Sequence, residues 1–289
     1  MVKSAKIVLK GGLGNQLFQL SRALSISNTF SQVRLVEDFE KHTIFRPVQI
    51  RNLVEMSKSL PNFGSLTIIE KLRLKWFRIF SSRARFLCRI VGCRSDEMDY
   101  DDYFFAKFYR VILFDGYWQS NCFVSLNEKE IFDSLSEYVD SLNTNRDKMI
   151  PSVDVLLHIR GGDYIQNRSN SDAFGILSPK YYSRILDKLK VTQVTAATDD
   201  LEWLAEFENS FVIDRILDPR DYDEWDLIAC AMTSRIFVAA NSSLSWWAGF
   251  LAAHKGARVI IPNPWFRRES DSASRKYSSF ERAPSDWIE

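Results

Sequence analysis

The sequence predicts an α/β protein with two parallel-sheet domains, and three observations carry that expectation. Short apolar strands alternate with amphipathic helices along most of the chain, the pattern of a parallel sheet wrapped by helices. One strand, Val153–Ile159, is an almost unbroken apolar run, as suits a strand buried on both faces. The length of 289 residues exceeds one minimal domain. It suits two domains of about 130–150 residues each.

The elements follow in order. A strand near Lys6–Leu9 leads through a glycine turn, Gly11–Gly14, into a helix near Leu17–Ser27, whose Leu17, Leu20 and Leu24 form one apolar face. Val33–Val36 completes a βαβ start. The stretch from about Phe45 to Phe108 is irregular; a strand at Tyr109–Phe114 and a helix at Glu128–Leu142 resume the pattern. A polar segment, Asn143–Ser152, divides a first domain (1–150) from a second (151–289). After Val153–Ile159, Ser178-Pro179 sets a capping residue before a proline at the first helical position, opening a helix to about Lys190. Strands are expected near Gln193–Ala197, Phe211–Ile213, Ile236–Ala240 and Arg258–Ile261, with helices near Leu201–Glu208, Asp223–Met232 and Ser242–His254 between them. Ligands bind outside the carboxyl ends of such strands, so two Rossmann-like domains with the active site in the cleft between them are expected.

Composition narrows the class of function. Hydrophobic residues make up 46% and charged residues 26%, which is globular, and a net charge of +1 speaks against nucleic acid as a general partner. The four cysteines, Cys88, Cys93, Cys122 and Cys230, include no C-x-x-C pair and read as free thiols. No leader pattern and no run of 18 apolar residues occurs, so a cytoplasmic protein is expected.

Four motifs carry chemistry. Gly11-Gly12-Leu13-Gly14-Asn15-Gln16 lies between a strand and a helix, where glycines allow a sharp turn and close approach of a ligand. It reads as a tight turn or as a dinucleotide fingerprint, with Glu37-Asp38 as its acidic partner but Leu17 where the third glycine belongs. His158-Ile159-Arg160-Gly161-Gly162-Asp163-Tyr164 ends the buried strand. Arg160 offers a planar fork that matches two phosphate oxygens, or it braces the turn by pairing with Asp163. Asn241-Ser242-Ser243 starts a helix after an apolar strand, which makes either an anion site at the helix N-terminus or a simple cap. In Thr198-Asp199-Asp200 either aspartate can accept from a ribose, a base edge or a sugar, and Asp200 reads best as the N-cap of the next helix. Trp246 and Trp247 read as core. Asp221-Tyr222-Asp223 matches a metal-binding D-x-D in letters but reads as a helix start after Pro219.

Together these segments resemble one family. Gly-Gly-Leu-Gly-Asn-Gln-Leu-Phe-Gln at 11–19, Asp-Gly-Tyr-Trp-Gln-Ser at 115–120, His-Ile-Arg-Gly-Gly-Asp-Tyr at 158–164, Thr-Asp-Asp at 198–200 and Asn-Ser-Ser-Leu-Ser-Trp-Trp-Ala at 241–248 are similar to the bacterial α-1,2-fucosyltransferases of glycosyltransferase family 11, in that family's order and over nearly the whole chain. The family pattern usually carries a second arginine after the first, and Gly161 stands there instead. The resemblance implies a GT-B fold and inverting, metal-independent transfer of L-fucose from GDP-β-L-fucose to the 2-hydroxyl of a glycan, with a terminal β-galactose as acceptor. No cofactor is implied, since GDP-fucose is the donor substrate. It assigns the diphosphate to Arg160, with Gly14, Asn15, His158, Asp199, Asn241, Ser242 and Ser243 around the donor, and makes Arg160, Asp163 and Asn15 the catalytic candidates. Asp163 is the candidate base and Asn15 a positioning group.

Two rivals remain at this point: a nicotinamide-dependent reductase built on the first βαβ unit, and a glycan- or nucleotide-binding module without turnover. A separate feature is the stretch 71–94, where Lys71, Arg73, Lys75, Arg78, Arg83, Arg85, Arg89 and Arg94 are interleaved with apolar residues and no acid. It reads as a solvated helical face, or as a contact to anionic lipid that would suit a lipid-linked acceptor and place the protein on the inner face of the cytoplasmic membrane.

Overall fold

The computed structural model describes residues 4–38, 47–80, 93–94, 110–145, 150–191, 193–207, 209–267 and 277–288. Two compact units emerge, Met1–Ser134 and Leu135–Glu289. The division falls inside a helix, not in the polar stretch 143–152. The chain passes from one unit to the other within a single continuous element.

In the first unit the described elements are β1 (Ser4–Leu9), α1 (Leu13–Ser25), β2 (Gln32–Glu37), α2 (Arg51–Met56), α3 (Ile68–Phe80), β3 (Cys93–Arg94), β4 (Val111–Phe114) and α4 (Asn121–Ser125). The strands lie in the order β2-β1-β4-β3, all parallel. From β1 the chain goes first to one side and later to the other, so the topological switch lies between β1 and β4. Helix α1 starts at Leu13, four residues earlier than its leucine spacing suggests, because Gly12 takes the N-cap position in extended conformation. Gly14 and Asn15 therefore sit in the first helical turn. Helices α2 and α3 give regular structure to part of the stretch that reads as irregular.

The core face of α3 is set by Leu74 and Phe77, packed with Val8, Val36 and Leu113. Two of the basic residues expected on a charged surface turn inward instead. Arg73 donates to the carbonyl of Val111 at 3.0 Å, and Arg78 pairs with Asp38 at 3.0 Å and Asp115 at 2.7 Å. Arg83, Arg85 and Arg89 lie outside the described residues, as does Cys88; Cys122 and Cys230 are free thiols.

Helix α5 (Glu128–Asn145) crosses into the second unit, which continues with β5 (Val155–Ile159), α6 (Gly162–Gln166), α7 (Arg168–Phe174), α8 (Pro179–Leu189), β6 (Thr195–Thr198), α9 (Leu201–Ala205), β7 (Arg215–Leu217), α10 (Glu224–Thr233), β8 (Ile236–Val238), α11 (Ser243–His254), β9 (Arg258–Asn263) and β10 (Phe280–Pro284). Its strands run parallel in the order β10-β9-β8-β5-β6-β7. Every side chain of β5 is buried, as its unbroken apolar run requires. At about 1.5–3 kcal/mol for each fully buried large aliphatic side chain, this strand anchors the sheet. Strand β7 lies at Arg215–Leu217 and not at Phe211–Ile213, where Phe211 and Ile213 pack beside the core as partly buried residues. Ser178 holds the N-cap position of α8, but its hydroxyl donates to Asp286 at 2.6 Å and does not cap. Strand β10 carries no turn or alternation signal that sequence reading can use. Among the described residues no helix is long and apolar enough to cross a membrane.

Candidate functional site

Register brings the predicted residues of the second unit together. Ile159 of β5 is level with Thr198 of β6, so the next residues, Arg160 and Asp199, leave neighbouring strands at the same height. On the other side Leu157 is level with Val238 of β8, which carries the 239–243 segment up beside β5. The switch point of this sheet lies between β5 and β8, where ligands bind in open parallel sheets.

At this edge Arg160 is held from two sides. Its Nη1 pairs with Asp199 at 2.7 Å, its Nη2 pairs with Asp163 three residues on, and its guanidinium lies 5.4 Å from the Tyr164 ring. Burial alone would weaken the charged form, but Asp199 and Asp163 outweigh it and hold the arginine above its ordinary pKa. The remaining donor, Nε, is buried with no partner. Such an orphan beside two exchangeable carboxylates marks a place where an anion can be received.

The two glycines after Arg160 are both constrained. A Cβ on Gly161 would stand 2.8 Å from Trp203 Cδ1 and 2.9 Å from Asp200 Cβ. Gly162 has φ +42°, and a side chain there would strike the Asp199 carboxylate. Their N–H groups donate to Asp199 at 2.9 Å and to Asp200 at 3.2 Å. Asp200 also caps α9 through Trp203 N at 3.0 Å, as its position after a strand suggests. Asp199 thus braces both the loop and the arginine.

His158 and Asn241 play different parts from those expected. His158 is buried, and its Nδ1 bonds Ser245 Oγ, whose oxygen also accepts from Ala240 N at 3.0 Å. Burial, aided by the Arg160 charge, pushes the imidazole down to about 3, so it is neutral at ordinary pH. It ties β5 to α11. Asn241 donates both amide hydrogens, to the carbonyls of Phe174 and Gly175 at 2.9 and 3.1 Å, so its side chain has no donor left for a ligand. Ser242 caps α11 by accepting from Ser245 N at 3.1 Å. The first-turn N–H groups of Ser243 and Leu244 have no partner within the helix, and Ser243 itself is partly exposed. Trp246 and Trp247 are core, and Asp223 forms a capping box with Asp226.

The first unit has its own polar edge, at the switch between β1 and β4. Gly11, at φ +76°, turns the chain into α1 with Asn15 against it. Asn15 Oδ1 accepts from Gln119, a residue of the 115–120 segment to which sequence reading gave no role. Trp118 holds φ +55°, which costs a bulky residue roughly 1–2 kcal/mol. It is fixed there by burial among Phe114, Phe123 and Arg22. Gln119 follows this turn directly and donates to Asn15. Gln16 and Gln19 are brackets: Gln16 bonds Gly11 O and Pro47 O, each at 2.9 Å, and Gln19 bonds Gly116 O at 3.0 Å. Gly14 is buried in the first turn. Lys10 and Arg78 flank Asp115, whose carboxyl is raised by burial but brought below its ordinary range by the Arg78 bond and both charges. Arginines take up the acidic pair proposed for a dinucleotide ribose, Asp38 with Arg78 and Glu37 with Arg51.

Two parallel α/β units, one of them with a doubly paired arginine at the end of β5, define an α/β protein of the kind that binds ligands at strand ends. The sequence carries this to a family. The profile of Glycosyl transferase family 11 matches residues 3–281, and the chain belongs to that family. It is 27% identical to the alpha-1,2-colitosyltransferase of Escherichia coli over 97% of this chain and 96% of that one. It is 24% identical to the O-antigen biosynthesis glycosyltransferase WbnK of Escherichia coli, over 91% and 95% of the two chains. Among solved structures it is similar to POFUT1 in complex with GDP-fucose (TM-score 0.47, 11% identity, 90% of this chain and 97% of that one). The heptosyltransferase WaaC of E. coli with ADP gives a TM-score of 0.48 at 10% identity, over 97% and 93%.

Proposed function

We propose that this glycosyltransferase moves L-fucose from GDP-β-L-fucose to the 2-hydroxyl of a glycan residue, a terminal β-galactose, in the assembly of a bacterial O-antigen or related surface polysaccharide. The observation that carries the reading is Arg160, doubly paired at the end of β5 with its Nε unsatisfied. The names of the two E. coli relatives support the α-1,2 linkage and the O-antigen setting.

In the proposed reaction the acceptor O2 attacks C1 of fucose as the bond from C1 to the β-phosphate oxygen breaks. GDP departs with the electron pair, and the configuration at C1 inverts. Arg160 exchanges a carboxylate for the diphosphate, and its charge then meets the charge growing on the leaving group in place of a metal. Ser243 and the first turn of α11 add donors. Once Arg160 turns to the diphosphate, Asp163 is released to take the acceptor proton. Asn15, held by Gln119, is assigned to orienting the acceptor.

The 27% relative favours a second donor, nucleotide-activated colitose, with the same roles for the same residues. GDP release from each donor against a panel of galactosides tests both. Turnover of GDP-fucose with a β-galactoside is the expected result. GDP binding without turnover on any acceptor would make the protein a binding module, and turnover of another nucleotide sugar alone would exclude fucose.

A further inference from the structure

Helix α3 divides its residues sharply between two faces. Leu74, Phe77, Arg78 and the buried Glu70 face the sheet, and Glu70 is paired with Lys6 at 2.8 Å. The opposite face carries Ile68, Ile69, Leu72, Trp76 and Ile79, which are 78%, 71%, 53%, 58% and 58% exposed. Their spacing keeps them on one side of a helix, over a length of about 20 Å for 13 residues. Eleven large apolar residues are exposed among those described, and five of them lie on this one face. The others are scattered, and scattered apolar residues need no explanation.

We infer that this face of α3 is the element by which the protein seats itself on an anionic lipid surface, with the five apolar side chains entering the acyl boundary. Charge selects lipid over another occupant. The exposed polar residues between the apolar ones are Lys71 and Lys75, and the one acid of the helix is spent inside on Lys6. Arg73 and Arg78 turn inward, so Lys71 and Lys75 are the cations that the described helix presents at its surface. A broad aliphatic face with one tryptophan, bordered on one flank by Lys71 and Lys75, matches an interfacial helix. The inference does not rest on the transferase reading, and it places the anchor in the apolar residues and not in the arginines.

Sedimentation of the full chain with equimolar phosphatidylcholine and phosphatidylglycerol vesicles, and with phosphatidylcholine alone, tests it. The unaltered protein should bind the anionic vesicles and keep part of that binding in high salt, since apolar insertion is not screened. Leu72→Ser with Trp76→Ser should lower the partition coefficient at least about tenfold at any salt. Lys71→Gln with Lys75→Gln should lower it roughly tenfold in low salt only. Bromine on the acyl chains should quench part of the tryptophan fluorescence of the unaltered protein, and Trp76→Phe should bind equally while losing that part. Thermal melts matching the unaltered protein establish that the variants are folded. Absence of vesicle binding, or a serine pair that binds like the unaltered chain, overturns the inference. A dimer in light scattering that the serine pair dissociates, without lipid binding, would assign the face to a second copy.

Discussion

Denaturant titrations between about pH 7.5 and about pH 5 read the buried His158 among the described residues. In the folded chain its imidazole is pushed from 6.5 to about 3, because it is wholly buried and sits near the Arg160 charge. In the unfolded chain it protonates near 6.5, so the unfolded state binds more protons below that value and stability falls with pH. At pH 5 the unfolded histidine is almost fully charged and the folded one neutral, a loss of about 2 kcal/mol. By pH 3 the loss is about 4 kcal/mol. Carboxylates with lowered pKa, Asp115 and Glu70 among them, act in the same direction only below their unfolded values of 3.8 and 4.5. Among the described residues with a shifted pKa, His158 is the group that titrates in the upper window. His158→Asn, which keeps a hydrogen-bonding atom near the place of Nδ1, should be less stable at neutral pH but flat from pH 7.5 to 5. Unfolding free energy of the unaltered protein that is equal at both pH values would refute the reasoning. So would a His158→Asn variant that keeps the full slope.

Further perturbations address the site itself. Arg160→Lys should lower transfer by about a hundredfold or more with an unchanged melt, because a point charge replaces a two-armed fork; near-normal turnover would remove Arg160 from the mechanism. EDTA should leave transfer largely unchanged, and a loss that Mg²⁺ or Mn²⁺ restores would overturn the assignment of the leaving group to arginine and helix dipole. Gly161→Ala should destabilise by about 1–3 kcal/mol through overpacking on Trp203 and Asp200. Trp203→Val should relieve most of that cost in the double variant, and strictly additive effects would count against the contact.

How far the fold could be read depended on whether a segment's period was set by burial or by neighbours distant in sequence. β5 was legible because both of its faces are covered, and α8 because Ser178-Pro179 precedes an amphipathic run, even though the serine hydroxyl turns to Asp286. β7 and β10 were not, since their places are fixed by pairing with β6 and β9. The same divide runs through the site. Arg160 and Asp199 could be named from strand-end motifs, and parallel register accounts for their meeting. The inward roles of His158 and Asn241 could not be named, because their partners Ser245, Phe174 and Gly175 are set by tertiary packing. Gln119 was in view within the 115–120 segment, yet only the left-handed turn at Trp118 assigns it to Asn15.

Gly161 is where this chain departs from the pattern it resembles, and the surroundings of that residue give the departure a physical cause. The space a second arginine would enter is taken by Trp203, which packs edge-on against Phe207, and by Asp200, which caps the helix that carries Trp203. Trp203 cannot move away without opening the core, where Phe207 is fully buried. A larger side chain at 161 would thus be opposed by the packing of α9 itself. With the neighbouring position closed, Arg160 is the one arginine or lysine of its motif. Its two carboxylate partners, Asp163 and Asp199, hold the guanidinium in place. The single arginine, the tryptophan behind the glycine and the paired aspartates are parts of one arrangement, and a change at any of them should be felt at the others.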